Sequence, residues 1–284
     1  TATSGGNVSV TVTDDNGCTD TASVSVTEVP SPTVTLSGDT TFCEGSDTTI
    51  TANVSGGTGP YSYDWSASSA SGTSAGNTFT ATSGGNVSVT VTDDNGCTDT
   101  ASVSVTEVPS PTVALSGDTA FCEGSSTTIT ANVSGGTAPY SYDWSASTAS
   151  GTSAGNTFTA NSGGTVEVTV TDDNGCTDTA SVAVTENPSP TVTLSGDTTF
   201  CEGSDTTITA NVSGGTGPYS YDWSASSASG TSAGNTFTAT SGGNVSVTVT
   251  DDNGCTDTAS VSVTEVPSPT VTLSGDTTFC EGSD

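Results

Sequence analysis

The residues with the most chemical scope in this chain are its eight cysteines. They stand at Cys18, Cys43, Cys97, Cys122, Cys176, Cys201, Cys255 and Cys280. None belongs to a Cys-x-x-Cys pair and the sequence has no histidine, so the ligand spacing of a zinc site is missing. No lysine or arginine is present to stabilise a thiolate, which disfavours nucleophilic roles. What remains for these thiols is disulfide chemistry in an oxidising compartment.

The carboxylates are the other reactive population. The chain carries 31 Asp and Glu residues against no Lys, Arg or His, a formal charge of −31. Without cationic side chains no ion pair between side chains can form, and binding to nucleic-acid phosphates or to an anionic membrane surface is excluded. The mutual repulsion calls for cations such as Ca²⁺ or Na⁺ as screening partners. Pairs of Asp and Glu are the raw material of acid–base catalysis, yet none stands apart here from turn residues or solvated surface. No enzyme activity is expected. No run of about 18 apolar residues exists to cross a membrane. The chain opens and closes inside a repeat with no leader peptide visible, and reads as a window of a longer protein.

These residues recur because the whole sequence recurs. Residues Thr1 to Phe79 return nearly letter for letter at Thr80, Thr159 and Thr238. Within each period apolar and polar residues alternate: Val34 and Leu36, then Ile50, Ala52 and Val54, then Tyr61, Tyr63 and Trp65. Phe79 and Ala81 follow, then Val87, Val89 and Val91, then Ala101, Val103 and Val105. Period-two patterning rich in Val, Thr, Tyr and Ile predicts half-buried strands, and no segment has helical periodicity. Ser55-Gly56-Gly57-Thr58-Gly59-Pro60 and Asp94-Asn95-Gly96 supply turn chemistry between strands. The stretch Ala67 to Gly76 predicts either a short edge strand or a crossing loop. Several short strands in so small a unit predict an all-β fold of tandem immunoglobulin-like β-sandwich domains in an extended string, with Trp65 in the core. The Pro-Ser-Pro linkers divide it into a hairpin closing a preceding repeat (1–29), three repeats (33–108, 112–187 and 191–266), and the first strand of a following repeat (270–284).

Phe42-Cys43-Glu44-Gly45, Gly56-Gly57-Thr58-Gly59-Pro60-Tyr61-Ser62-Tyr63-Asp64-Trp65, and Val87 to Cys97 ending in Thr92-Asp93-Asp94-Asn95-Gly96-Cys97 together resemble the SprB-type repeat. That repeat is a tandem module of giant Bacteroidota surface adhesins, related to polycystic-kidney-disease (PKD) domains. The resemblance extends over every repeat. It implies secretion, an extracellular cell-surface location, and a part in adhesion or gliding. PKD-like modules also serve as spacers in secreted hydrolases.

In an immunoglobulin-like sandwich the first and last strands run the same way. Cys43 closes the first and Cys97 opens the last, which places them roughly 25 Å apart at ~3.3 Å per residue. A disulfide needs about 5.5 Å between Cα atoms. Across a short linker, however, the end of one domain faces the start of the next. The favoured bridges are therefore the inter-domain pairs Cys43–Cys176 and Cys122–Cys255. Within-domain pairing, Cys43–Cys97, Cys122–Cys176 and Cys201–Cys255, is the alternative.

The same boundaries gather oxygen donors. Glu44, Asp47, Asp172, Asp173 and Asn174 meet at one, and Glu123, Asp251, Asp252 and Asn253 at the next, a donor set suited to Ca²⁺. Asp-Asp-Asn-Gly is equally what a tight hairpin requires. No cofactor is required by the sequence; Ca²⁺ at the domain junctions is the one candidate. Asp-Thr-(Thr/Ala) occurs at Thr21, Thr40, Thr48, Thr100, Thr119, Thr179, Thr198, Thr206, Thr258 and Thr277, and resembles an O-glycosylation signal of Bacteroidota. A structural shaft of a long adhesin or extracellular filament is the leading expectation. Its partners would be neighbouring repeats, other copies in a fibre, and surface glycans or a substratum reached elsewhere in the protein. A spacer or carbohydrate-binding PKD-like array in a secreted hydrolase is the alternative.

Overall fold

The computed structural model describes residues 1–275, 278 and 281. All regular structure in it is β. An antiparallel hairpin comes first, β1 (Gly6–Thr13) with β2 (Thr19–Val26). The first repeat then builds eight strands: β3 (Pro32–Ser37), β4 (Thr41–Cys43), β5 (Thr48–Gly56), β6 (Ser62–Ser68), β7 (Gly72–Ala75), β8 (Thr78–Ala81), β9 (Gly85–Thr92) and β10 (Thr98–Val108). They form two four-stranded sheets, ordered β3-β5-β8-β7 and β4-β10-β9-β6. Every pairing is antiparallel except β4 on β10, which is parallel and aligns Cys43 with Val108. This is the layout of an immunoglobulin-like sandwich, whose opening strand is shared between both sheets.

The alternation seen in the sequence is the cause of the two layers. Residues at every second position of β5, β8 and β9 point inward, so Ile50, Phe79, Ala81 and Val87 close one end of the core with Phe42 and Val105. Val34, Ala52, Val89 and Val91 close the other. Trp65 packs against both groups from β6, its ring 5.7 Å from that of Phe79, and its indole N–H donates to the Gly76 carbonyl at 3.0 Å. Being half-buried, it caps the core rather than filling its centre. Tyr61 lies just ahead of β6 and donates its hydroxyl to the Gly56 carbonyl at 2.7 Å. The stretch after Ala67 resolves into the edge strand β7, held by β8.

The same strands recur from β11 (Pro111–Ser116) to β18 (Thr177–Asn187), and from β19 (Pro190–Ser195) to β26 (Thr256–Val266). Phe121, Ile129, Phe158, Ala160, Val166 and Val184 repeat the first core group, as do Phe200, Ile208, Phe237, Ala239, Val245 and Val263. The chain divides into two compact units: Thr1–Ala114 with Val133–Asp143 and Thr169–Thr179, and Leu115–Asn132 with Trp144–Val168 and Ala180–Asp284. The described residues after Val266 form no strand. Strands opening the other repeats are each held by a partner such as Thr48–Gly56, and 270–284 has no residues at the matching offset.

Candidate functional site at the repeat junctions

The junction is built on the hairpin that joins β9 to β10. Its turn, Asp93-Asp94-Asn95-Gly96-Cys97, is closed by the Gly96 amide donating to the Asp93 carbonyl and the Asp93 amide to that of Cys97, both at 3.0 Å. Asp93 is buried and its carboxylate is the hub. Oδ1 accepts the amides of Asn95 (3.0 Å) and Cys97 (2.8 Å), and Oδ2 accepts that of Thr58 (3.0 Å). Burial works against its charge, but the amides of Thr58, Cys97 and Asn95 outweigh it and hold the Asp93 carboxyl below the ordinary aspartate range. The turn that presents Thr58 needs Gly57, at φ 68°, because a Cβ there would lie 3.1 Å from both Asp93 Oδ2 and the Pro32 ring. Asp172 and Asp251 repeat the arrangement, with their carboxyls lowered by the amides of Thr137 and Cys176, and of Thr216 and Cys255.

At the other end of a repeat, Cys43 finishes β4 and enters a tight turn. Ser46 donates its amide to the Cys43 carbonyl at 3.0 Å, with Gly45 at φ 82° in the position that requires glycine. The linker is tied to this turn. The Glu44 amide donates to the Val108 carbonyl at 2.8 Å, and the Ser110 hydroxyl to the Glu44 carbonyl at 3.1 Å. Next along, Glu123 with Asn187 and Ser189 with Glu123 make the same contacts.

The structure brings Cys43 together with Cys176 in a disulfide (Cα–Cα 5.6 Å), and Cys122 with Cys255 (Cα–Cα 5.5 Å). Each spans 133 residues and joins one repeat to the next, and the two closed loops overlap between Cys122 and Cys176. The within-repeat pairs do not form, because Cys97 sits at the opposite end of its sandwich from Cys43. Cys18, Cys97 and Cys201 are free thiols, while Cys280 lies outside the described residues. Burial records what a junction does: Cys176 and Cys255 are each 1% exposed, whereas Cys97, in the same hairpin without a bridge, is half-buried.

Two of the oxygen donors serve the hairpin turns themselves. Asp172 and Asp251 turn both carboxylate oxygens onto backbone amides. Asn174 points its side chain back to the Thr137 hydroxyl at 2.8 Å. Glu44, Asp47, Asp173, Glu123, Asp252 and Asn253 are exposed. Among the described residues no group of three or more His, Cys, Asp or Glu side chains is gathered to hold a metal ion.

Of the threonine set, Thr48 and Thr206 are buried, and their hydroxyls donate to the carbonyls of Asp39 and Asp197 at 2.7 Å. Thr21, Thr40, Thr100, Thr119, Thr179, Thr198 and Thr258 are exposed; Thr277 lies outside the described residues. The aspartate of the Asp-Thr-Ala motif has a structural task that the sequence reading missed. Asp99 Oδ2 accepts the Val34 amide at 2.8 Å, and Asp178 and Asp257 do the same for Val113 and Val192. This clamps the opening strand to the closing one.

The strand order and the bridges define a tandem array of immunoglobulin-like β-sandwiches stabilised by disulfides. The SprB repeat family matches it three times, at residues 43–70, 122–149 and 201–228, once per repeat. Each match starts at the cysteine that ends β4 or its equivalent, and runs through the strand bearing the tryptophan. In each repeat that segment is thus similar to the SprB repeat, and the rest of the repeat lies outside the match. No match was found among curated proteins. Among solved structures it is similar in fold to titin domains I67–I69 (13% identity, 84% of this chain and 99% of that one, TM-score 0.43). It is similar also to the eight N-terminal Ig domains of DSCAM (13%, 92% and 40%, TM-score 0.49). A third is the three N-terminal domains of the outer capsid protein Hoc of bacteriophage RB49 (16%, 84% and 100%, TM-score 0.41).

Proposed function

We propose that this chain is a section of the shaft of a long extracellular adhesin or filament, in which each junction carries load through a covalent cross-link as well as through the backbone. The observation that supports this reading is the pair of overlapping disulfides. Between Cys43 and Cys255 the two bridges open two parallel routes of equal length for an end-to-end force, one through Cys43–Cys176 and on to Cys255, the other through Cys122–Cys255, so the intervening chain cannot be drawn out to its full length. Disulfides also argue for an oxidising, extracellular setting. No helix among the described residues is long and apolar enough to cross a membrane.

The test is to pull single molecules by their ends with and without reductant. Reduced, each sandwich that opens should release up to about 280 Å, from 79 residues at ~3.5 Å each. Oxidised, the chain should extend far less before rupture. Equal extension in the two states would defeat the proposal. The carbohydrate-binding alternative is disfavoured by the aromatics: Trp65 and Tyr61 direct their polar atoms to backbone carbonyls, and Trp65 packs on the core.

Two lesser proposals attach to the same reading. Ca²⁺ at the junctions, beside Glu44, Asp47, Asp172, Asp173 and Asn174 at one and Glu123, Asp251, Asp252 and Asn253 at the next, would make the melting temperature fall on chelation, and an unchanged melting curve ends that idea. Glycans on the exposed threonines would raise the intact mass of native material above that of the polypeptide. Adhesion to surface glycans or a substratum is proposed for parts of the protein outside these repeats.

A further inference from the structure

Each junction bridge offers its two sulfurs unequally. In the first, Cys176 is 1% exposed, whereas Cys43, at the end of β4, is half-buried and enters an exposed turn. Cys255 and Cys122 divide the same way. The surroundings carry one sign of charge. Glu44 follows Cys43 directly and Asp47 lies between it and β5. Asp172 accepts the Cys176 amide at 2.8 Å, and Asp173 stands next to it in the hairpin. No Lys, Arg or His side chain exists anywhere in the sequence to offset them. At the second bridge the set is smaller: Glu123, Asp251 and Asp252, with Ser126 in the place of Asp47.

We propose that Cys43 and Cys122 are the entry points for thiol–disulfide exchange, and that the carboxylates around them select the reagent by charge, admitting thiols that carry an ammonium group and turning away anionic ones. The reacting species is a thiolate, itself negative. Its sulfur bonds to Cys43 Sγ, the Cys43–Cys176 bond breaks, and the electron pair leaves on Cys176 Sγ, which takes a proton from water. A second reagent thiolate attacks the reagent sulfur of the mixed disulfide, releasing Cys43 and the oxidised reagent. Both stages bring negative charge toward Glu44 and Asp47, and the first also places it beside Asp172. An anionic reagent therefore meets a repulsion that no cationic side chain relieves. An ammonium on the reagent cancels the thiolate's charge during approach. The bridge thus resists small anionic thiols although one of its sulfurs is within reach, and it does so whether or not the chain bears load.

The experiment uses the oxidised full chain with its free thiols capped by iodoacetamide. Cysteamine or 3-mercaptopropionate serves as reductant, and opening of each bridge is followed by acid quench, alkylation and peptide mapping. Each rate is divided by that of the same reagent on bis(2-hydroxyethyl) disulfide, a neutral reference that cancels differences in thiolate fraction and nucleophilicity. At low salt cysteamine should be favoured by about tenfold or more. The preference should be stronger at Cys43–Cys176 than at Cys122–Cys255. Raising the ionic strength from about 0.01 M to 1 M shortens the screening length from about 30 Å to 3 Å and should bring both ratios close to one. Asp47→Ser should lower the ratio at the first bridge to that of the second; the site is exposed, and Ser126 already occupies its equivalent. The trapped mixed disulfide should carry the reagent on Cys43 and Cys122. Ratios near one at low salt, ratios unmoved by salt, a first bridge indifferent to Asp47→Ser, or reagent trapped on Cys176 or Cys255 would each overturn the proposal.

Discussion

Asp93 and its equivalents Asp172 and Asp251 show how a single carboxylate shapes a junction. Their carboxyls are lowered in the folded chain, so the native carboxylate stays charged at a pH where the unfolded chain has taken up a proton. The stability this contributes is complete above the ordinary aspartate value of 3.8 and is lost as pH falls below it. The melting temperature of the oxidised chain should therefore drop through the acid range, and Asp172→Asn should make that drop shallower. An acid limb unaffected by the substitution would remove the role assigned to Asp172. Asp99 acts through one hydrogen bond to the Val34 amide, and Asp99→Ala should cost about 1–3 kcal/mol by leaving that amide unpaired, readable in denaturant unfolding. The hairpin role of the Asp-Asp-Asn-Gly turn was legible in the sequence, since Asp and Asn are its natural residues. The clamp by Asp99 was not, because its partner lies 65 residues away and no local pattern announces it.

Strands were legible wherever one face was apolar and the other polar. Val87, Val89 and Val91 are all fully buried, and the intervening Ser88 and Thr90 are not. β4 and β7 had no such signature. β4 has three residues and owes its existence to parallel pairing with β10, a contact fixed only once the sandwich closes. β7, Gly-Thr-Ser-Ala, is exposed throughout and is held by backbone pairing with β8 and by the Thr78 hydroxyl donating to the Ala75 carbonyl. The two classes should differ sharply under mutation. Ile129→Ala, in a site 1% exposed, should cost about 2–5 kcal/mol. Thr152→Ala on the matching edge strand β15 (Gly151–Ala154) should stay within about 0.5 kcal/mol. Comparable losses at both sites would mean that the edge strand is packed more firmly than its exposure indicates.

For the whole chain, a small sandwich buries only part of its unfolded surface and gains from any covalent link to a neighbour. A loop of 133 residues closed by a disulfide contributes about 5 kcal/mol by the chain-entropy estimate. Cys43→Ser should lower the unfolding free energy by about 2–4 kcal/mol and leave Cys176 newly reactive to thiol reagents once it opens. The interleaving of the two loops has a further consequence for survival among proteases. A peptide bond cut anywhere between Cys43 and Cys255 is bridged by at least one disulfide, and between Cys122 and Cys176 by both. A nicked molecule therefore keeps its full mass on a non-reducing gel and falls into fragments only after reduction, so that damage to the backbone does not become loss of reach.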